Sequence, residues 1–268
     1  MLRNASAING YAIAASDGRI GTVEDLLFDD ASWQIRWLVV DTGNWLPGRK
    51  VLLPPSTLGH IDAMERQFSV GLTMQKVKDG PDIDTDRPVS RQMEINLFEY
   101  YGWSPYWSSG LYMGGYGYMG GAGVVMPPLG YRQREEQREE RMSDLHRADD
   151  DPHLRSVKVV TGYHIHAQDG EIGHVEDFLV EDTDWSVHYL VVDTRNWWPG
   201  KRVLISPRSA KEIDWTDKLV YLDVDRQKVK ASPAYSAATT VDQAFEDQFH
   251  DHYGAARSSD RPDQAPAR

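Results

Sequence analysis

The sequence predicts a mainly β fold: two tandem small six-stranded β-barrels, each followed by a short amphipathic helix. Three observations predict it. The chain repeats itself without a gap at an offset of 152 positions. Within each copy, alternating apolar and polar residues broken by turn dipeptides mark short strands. Just after each strand-rich stretch, apolar residues recur at every fourth position, the spacing of one helix face.

The repeat pairs Gly10-Tyr11 with Gly162-Tyr163, and Leu38-Val39-Val40-Asp41-Thr42 with Leu190-Val191-Val192-Asp193-Thr194. It continues through Asn44-Trp45 and Asn196-Trp197, Pro47-Gly48 and Pro199-Gly200, and ends where Tyr101-Gly102 meets Tyr253-Gly254. A unit of about ninety residues is a duplicated domain, since solenoid repeats run to roughly 20–50 residues. Residues kept in both copies belong to the shared architecture. Residues found in one copy need a separate reason.

Inside the first copy, Tyr11 to Ala15 leads into Asp17-Gly18, and an apolar-rich run resumes from Ile20 to Phe28. Asp-Gly between two such runs predicts a hairpin, and the second copy keeps it as Asp169-Gly170. The acidic pairs Asp29-Asp30 and Glu181-Asp182 break the chain before Trp33 and Trp185. Ile35, Trp37 and Val39 then alternate with Gln34 and Arg36, the period of a half-buried strand. Leu38 and Val40 are apolar as well, which predicts a second, outer apolar face covered by something else. Pro47-Gly48 marks a turn before Val51-Leu52-Leu53, and two further runs near Gly59–Met64 and Phe68–Thr73 complete about six strands. So many short strands leave exposed edges in a flat sheet, and closure into a barrel removes them.

These residues carry a resemblance. Gly10-Tyr11-x-Ile13, then Asp17-Gly18-x-Ile20-Gly21-x-Val23-Glu24-Asp25, then Leu38 to Thr42 resemble the PRC-barrel family. That fold is named for the cytoplasmic part of the photosynthetic reaction-centre H subunit, and it also forms the C-terminal half of a ribosome maturation factor. The resemblance covers Asn9 to Pro81 and Thr161 to Pro233, and is closest to bacterial proteins carrying two such barrels. It implies a binding or scaffolding module and brings no family-wide catalytic residues.

The expected organisation is a first barrel over 7–81, an amphipathic helix over 88–102, a Gly/Tyr/Met-rich linker over 103–131 and a charged helix over 132–147. A second barrel over 155–233, a helix over 240–254 and a disordered tail over 255–268 follow. Val89, Met93, Leu97 and Tyr101 form the first apolar stripe, and Val241, Phe245, Phe249 and Tyr253 the second. A helix of about twelve residues is marginal alone in water, so each should dock, with the face at Leu38 and Val40 as a candidate. The stripe either completes its own domain or mediates contact with a partner. From Tyr100 to Tyr131 no residue is charged, yet the repeated Gly and Pro127-Pro128 leave no aliphatic run long enough for a membrane span. The stretch reads as a flexible linker or as a sticky aromatic segment, and predicts two separately folded units.

Composition narrows the function. The absence of cysteine excludes disulfides, thiolate metal sites and cysteine nucleophiles. Residues 1–7 lack a basic start followed by an apolar run, so no secretory signal is predicted and the cytoplasm is the expected location. A formal net charge of −12 disfavours broad adhesion to nucleic acid or anionic lipid, while leaving a local basic patch open.

Candidate chemistry is sparse. His164 and His166 share a strand face, and with His174 and His188 make a weak metal candidate. The first copy has Ala12, Ala14, Thr22 and Arg36 there, so metal and cofactors are not expected. Glu24-Asp25 and Glu176-Asp177 are paired carboxylates on adjacent strand positions, which point to opposite faces and read as strand-end hydrogen-bonding groups. No nucleophile triad, phosphate-binding Gly loop or His-Glu-x-x-His motif occurs, so catalysis is not expected and no catalytic residue is assigned.

The binding candidates lie in twin loops: Trp45, Arg49 and Lys50 in the first copy, and Trp197, Trp198, Lys201 and Arg202 in the second. Aromatic rings beside cations suit a protein partner or nucleic acid, or else the rings simply cap the barrel end. The expected function is a non-enzymatic protein-interaction scaffold or assembly adaptor, acting through a protein partner or self-association. The alternatives are an RNA-processing or ribosome-linked binding protein and an accessory of a photosynthetic or electron-transfer complex.

Overall fold

The computed structural model describes residues 1–81, 89, 91–106, 154–194, 201–214, 216–236, 241 and 243–253. The Gly/Tyr/Met segment beyond Tyr106, the charged stretch 132–147, Trp197, Trp198 and the tail 255–268 lie outside the described residues.

The first half begins with β1 (Leu2–Asn4) and a one-turn α1 (Ala5–Ile8). The Asp-Gly hairpin joins β2 (Ala12–Ala15) to the twelve-residue β3 (Gly18–Asp29). Asp17 contributes more than the turn: its carboxylate accepts the Met74 amide at 2.8 Å and holds the start of α2 (Met74–Lys78). Then come β4 (Gln34–Asp41), β5 (Lys50–Leu53), β6 (Leu58–Asp62), β7 (Gln67–Val70) and α3 (Arg91–Tyr101). Gly21 in the motif has a steric reason. A Cβ there would lie 2.0 Å from the Asp41 carbonyl, and one at Gly173 would lie 2.0 Å from the Asp193 carbonyl. No other residue lets β3 approach the end of β4 so closely.

The second half repeats this order: β8 (Leu154–Ser156), α4 (Val157–Val160), β9 (His164–Ala167), β10 (Gly170–Glu181) and β11 (Val187–Asp193). It continues with β12 (Arg202–Ile205), β13 (Ala210–Asp214), β14 (Leu219–Leu222), α5 (Arg226–Ala231), the two-residue β15 (Ala234–Tyr235) and α6 (Gln243–Tyr253).

The fold is mainly β as expected, but the expected closure is corrected. Among the described residues the first sheet is an open path, β5-β4-β3-β2-β7-β6, and the second runs β13-β14-β9-β10-β11-β12-β15. Neither forms a closed barrel. The first path ends at β5 and β6, which are not paired with each other. The four-residue β2 pairs with β3 only over Gly18–Thr22, while β3 runs on against β4 to Asp29, with register shifts at Val23/Asp25 and Leu27/Phe28. The far end of β3, beyond the reach of β2, meets a strand from elsewhere in the chain.

That strand comes from the other half. β8 pairs antiparallel with β3, Phe28 opposite Arg155, and reciprocally β1 pairs with β10, Arg3 opposite Val180. Each half therefore lends its first strand to its partner's sheet. The expectation of two separately folded units is corrected by this exchange and by the core, which runs through both halves. Phe28 meets Phe178 at 5.5 Å between ring centroids, and Phe68 meets Trp185 at 5.8 Å.

Helices occur inside the expected ranges, over Arg91–Tyr101 and Gln243–Tyr253, and Val89 and Val241 of the two stripes precede them. The face they cover is different. Trp37 packs against Phe98 of α3 at 5.1 Å, and Tyr189 meets Phe249 of α6 edge-on at 4.9 Å. Leu38 and Val40 point to the opposite side of β4 and, like Leu190 and Val192, are completely buried. These four residues are core, and they provide no outer docking face.

Candidate functional site

The described candidate residues, Trp45, Arg49, Lys50, Lys201 and Arg202, are tied into the fold. Half-buried Trp45 packs against the core and donates its indole N–H to the Ile20 carbonyl. Arg49 reaches across to the end of α2, where Nη1 donates to the Lys78 carbonyl at 2.6 Å and Nη2 to that of Gly80. Lys201 repeats the arrangement, Nζ donating to the Lys230 carbonyl at 2.8 Å and to that of Ser232. Partial burial lowers the Lys201 ammonium from its ordinary value. Lys50 pairs with Glu24 at 2.9 Å, and Arg202 pairs with Glu176. The four cations at one register thus join a helix end and a strand carboxylate in each half. Their use for phosphate would compete with these internal partners.

The paired carboxylates do the bonding that their adjacency suggests, and they do it across the halves. Asp25 accepts the Ser156 hydroxyl at 2.5 Å and the Lys158 amide at 3.0 Å. Asp177 accepts the Asn4 amide group at 2.9 Å, the Ser6 hydroxyl at 2.5 Å and the Ser6 amide at 3.1 Å. Burial pushes the Asp25 carboxyl above its usual value, despite the Ser156 and Lys158 hydrogen bonds. Burial also acts to raise Glu24, but Lys50 and Lys158 outweigh it and leave that group below its ordinary value. Two further ion pairs lock the exchanged strands: Arg155 to Asp30 at 2.6 Å and Arg3 to Asp182 at 2.7 Å. Sequence reasoning missed both. Their signal was the Leu-Arg pair at 2–3 and at 154–155, which fits the 152-residue offset.

His164 turns to Glu171 at 2.8 Å, and His166 lies 6.0 Å from the Tyr221 ring. No group of three or more His, Asp or Glu residues placed to hold a metal ion occurs among the described residues. No helix among them is long and apolar enough to cross a membrane.

Where the halves meet, a groove of about 500 Å³ opens. Its walls combine Arg36, Pro54, Pro55 and Tyr106 from the first half with Asp184 and Trp185 from the second. Arg36 lies over the Tyr106 ring at 3.9 Å from its centroid. Below them Glu94 is fully buried, accepting the Trp37 indole N–H at 2.5 Å and the Tyr106 hydroxyl at 3.2 Å. At the corresponding places the second half keeps the acid as Glu246 but has His188 for Arg36 and Tyr189 for Trp37, so the surroundings of the groove differ from those on the opposite side.

Comparison with known proteins supports the resemblance in the first copy, where residues 3–70 match the model of the PRC-barrel domain. An uncharacterized protein of Deinococcus radiodurans is 31% identical over 86 residues, which is 32% of this chain. The match spans 31% of that relative's length.

Proposed function

We propose that the chain is a non-enzymatic protein-interaction scaffold that receives an extended segment of a partner protein in the groove between its halves. One observation carries this reading: the groove has walls from both halves, which the exchanged strands and shared core hold in a fixed relation. A proline pair, an Arg-capped tyrosine and acidic residues at its edge suit an extended peptide with apolar and basic side chains. The second half, with the same strand order, is read as a second PRC-type unit whose role is to build that wall. The twin tryptophan loops are the less favoured surface, because Arg49, Lys50, Lys201 and Arg202 already have partners inside the molecule. The same occupancy, with the net charge of −12, weighs against RNA as the main ligand.

Pull-downs from the native cell test the reading, comparing the parent chain with Ser56→Trp and Trp198→Ala after circular dichroism has verified each fold. Ser56 is exposed on the groove wall, so the larger ring obstructs the groove without entering the core. Loss of a nuclease-resistant protein partner with Ser56→Trp, and its retention with Trp198→Ala, is the expected result. The reverse pattern moves the site to the loops. Ribosomal partners lost on nuclease treatment would favour the RNA reading, and subunits of a membrane electron-transfer complex the accessory reading.

A further inference from the structure

We propose that the interface between the halves also closes between two chains, so that the protein takes a second copy of itself as partner by exchanging halves. The strand pairings, ion pairs and carboxylate bonds that join the first strand of each half to the other half occur twice, at positions 152 apart. Arg3–Asp182 answers Arg155–Asp30, and the Asn4 and Ser6 bonds to Asp177 answer those of Ser156 and Lys158 to Asp25. The Ile35 amide bonds the Trp185 carbonyl as the Val187 amide bonds that of Trp33. None of these bonds uses the connection that makes the halves one molecule.

That connection is the 47 residues of 107–153. The length of this connection, up to roughly 160 Å at full extension, is enough in principle to reach the second half of either chain. In the exchanged dimer, the first half of each chain binds the second half of the other, with all contacts unchanged. Only concentration separates the two states. Within one chain the halves meet at an effective concentration on the order of 1 mM, so dilute folding favours the closed monomer and folding at higher chain concentration favours the dimer. Because the interface includes paired strands and a shared core, a dimer once formed reverts slowly. It carries two grooves instead of one.

The experiment uses the full chain with a protease site inserted between Gly120 and Gly121. The protein is refolded from denaturant at about 1 µM, far below the effective concentration, and at about 1 mM, which reaches it, and its mass is measured by light scattering after size exclusion. Monomer alone from dilute refolding and a substantial dimer fraction from concentrated refolding are expected. The dimer is then cut at the inserted site. An exchanged dimer falls to particles of monomer mass, each holding one first half and one second half. A dimer that keeps its mass after cutting is built on another surface and overturns the proposal, as does failure to dimerise at either concentration. Cut monomers that separate into half-mass fragments also overturn it, since the interface would not hold without the connection.

Discussion

The carbonyl of Trp33 accepts the amide proton of Val187 at 2.8 Å, and the carbonyl of Trp185 accepts that of Ile35 at the same distance. Both tryptophans have left-handed backbones, with φ of 57° and 58°. A residue of this kind in that region costs of order 1–3 kcal/mol and persists where its surroundings over-determine it. Here the turn after Asp29 is fixed by the Ala31 and Ser32 amides on its carboxylate, and the Trp33 ring stacks on Phe28 at 5.3 Å. The left-handed turn aims each carbonyl at the opposite half. Strain in the turn is thus offset by bonds across the interface.

Gly21→Ala and Gly173→Ala are expected to be among the most damaging small substitutions. The added Cβ meets a backbone carbonyl, which cannot rotate away as a flexible side chain would. Forced overpacking of this kind costs about 1–3 kcal/mol, and the left-handed φ of 142° at Gly173 adds to it there. Urea unfolding should show lower midpoints for both, with Gly173→Ala the lower.

A double-mutant cycle on Arg155→Ala and Asp30→Ala should give a coupling of about 1 kcal/mol. Both side chains are less than one-fifth exposed, so solvent screens the pair less than it does a surface ion pair. The cycle on Arg3→Ala and Asp182→Ala should give a similar value, with the N-terminal amine partly substituting for Arg3. Coupling near zero at both sites would mean that the exchanged strands are held by backbone bonds and core packing alone.

Much of this architecture was legible because the repeat acts as a control on itself. Asp17, Gly18, Gly21 and Asp25 recur at the 152-residue offset, and each has a local or sheet-level task that both copies need. Helix spacing from Met93 to Tyr101 was equally plain, since it follows from one periodicity. The strand exchange was not, because a three-residue strand such as Leu2–Asn4 carries no pattern and its partner lies some 180 positions away. Misassignment of Leu38 and Val40 had the same origin. A strand apolar on both faces shows that both are covered, and leaves open which cover is the helix.

Acid should act on the interface with opposite signs at two carboxylates. Burial tends to raise Asp182, but the N-terminal amine and Arg3 outweigh it, so the folded value lies below the ordinary 3.8. Its contribution is present above that value and is lost as pH falls through the folded one. Asp25 is raised by burial above the same 3.8, so its ionisation opposes folding as pH rises through its folded value. Denaturation midpoints between pH 3 and 6 should therefore fall less toward acid in Asp182→Asn than in the parent chain. In Asp25→Asn the decline with rising pH should disappear.

The buried carboxylate of Glu94 makes the last prediction the most discriminating for the groove. Its Oε1 takes the Trp37 indole N–H and, with Oε2, the Tyr106 hydroxyl. Trp37→Phe keeps an aromatic ring against Phe98 and removes only the indole bond and some volume. Removing one partner of a buried hydrogen bond leaves the other unsatisfied at a cost of roughly 1–3 kcal/mol, so stability should fall by about 2 kcal/mol. Tyr106→Phe removes a longer bond from a residue at the groove wall and should cost about 1 kcal/mol. The two variants separate stability from binding, because Tyr106 lines the groove and Trp37, with 0% exposure, does not. Under the groove reading, partner capture by folded Tyr106→Phe weakens more than capture by folded Trp37→Phe, although Trp37→Phe is the less stable protein. Capture that follows stability alone would count against recognition at this wall.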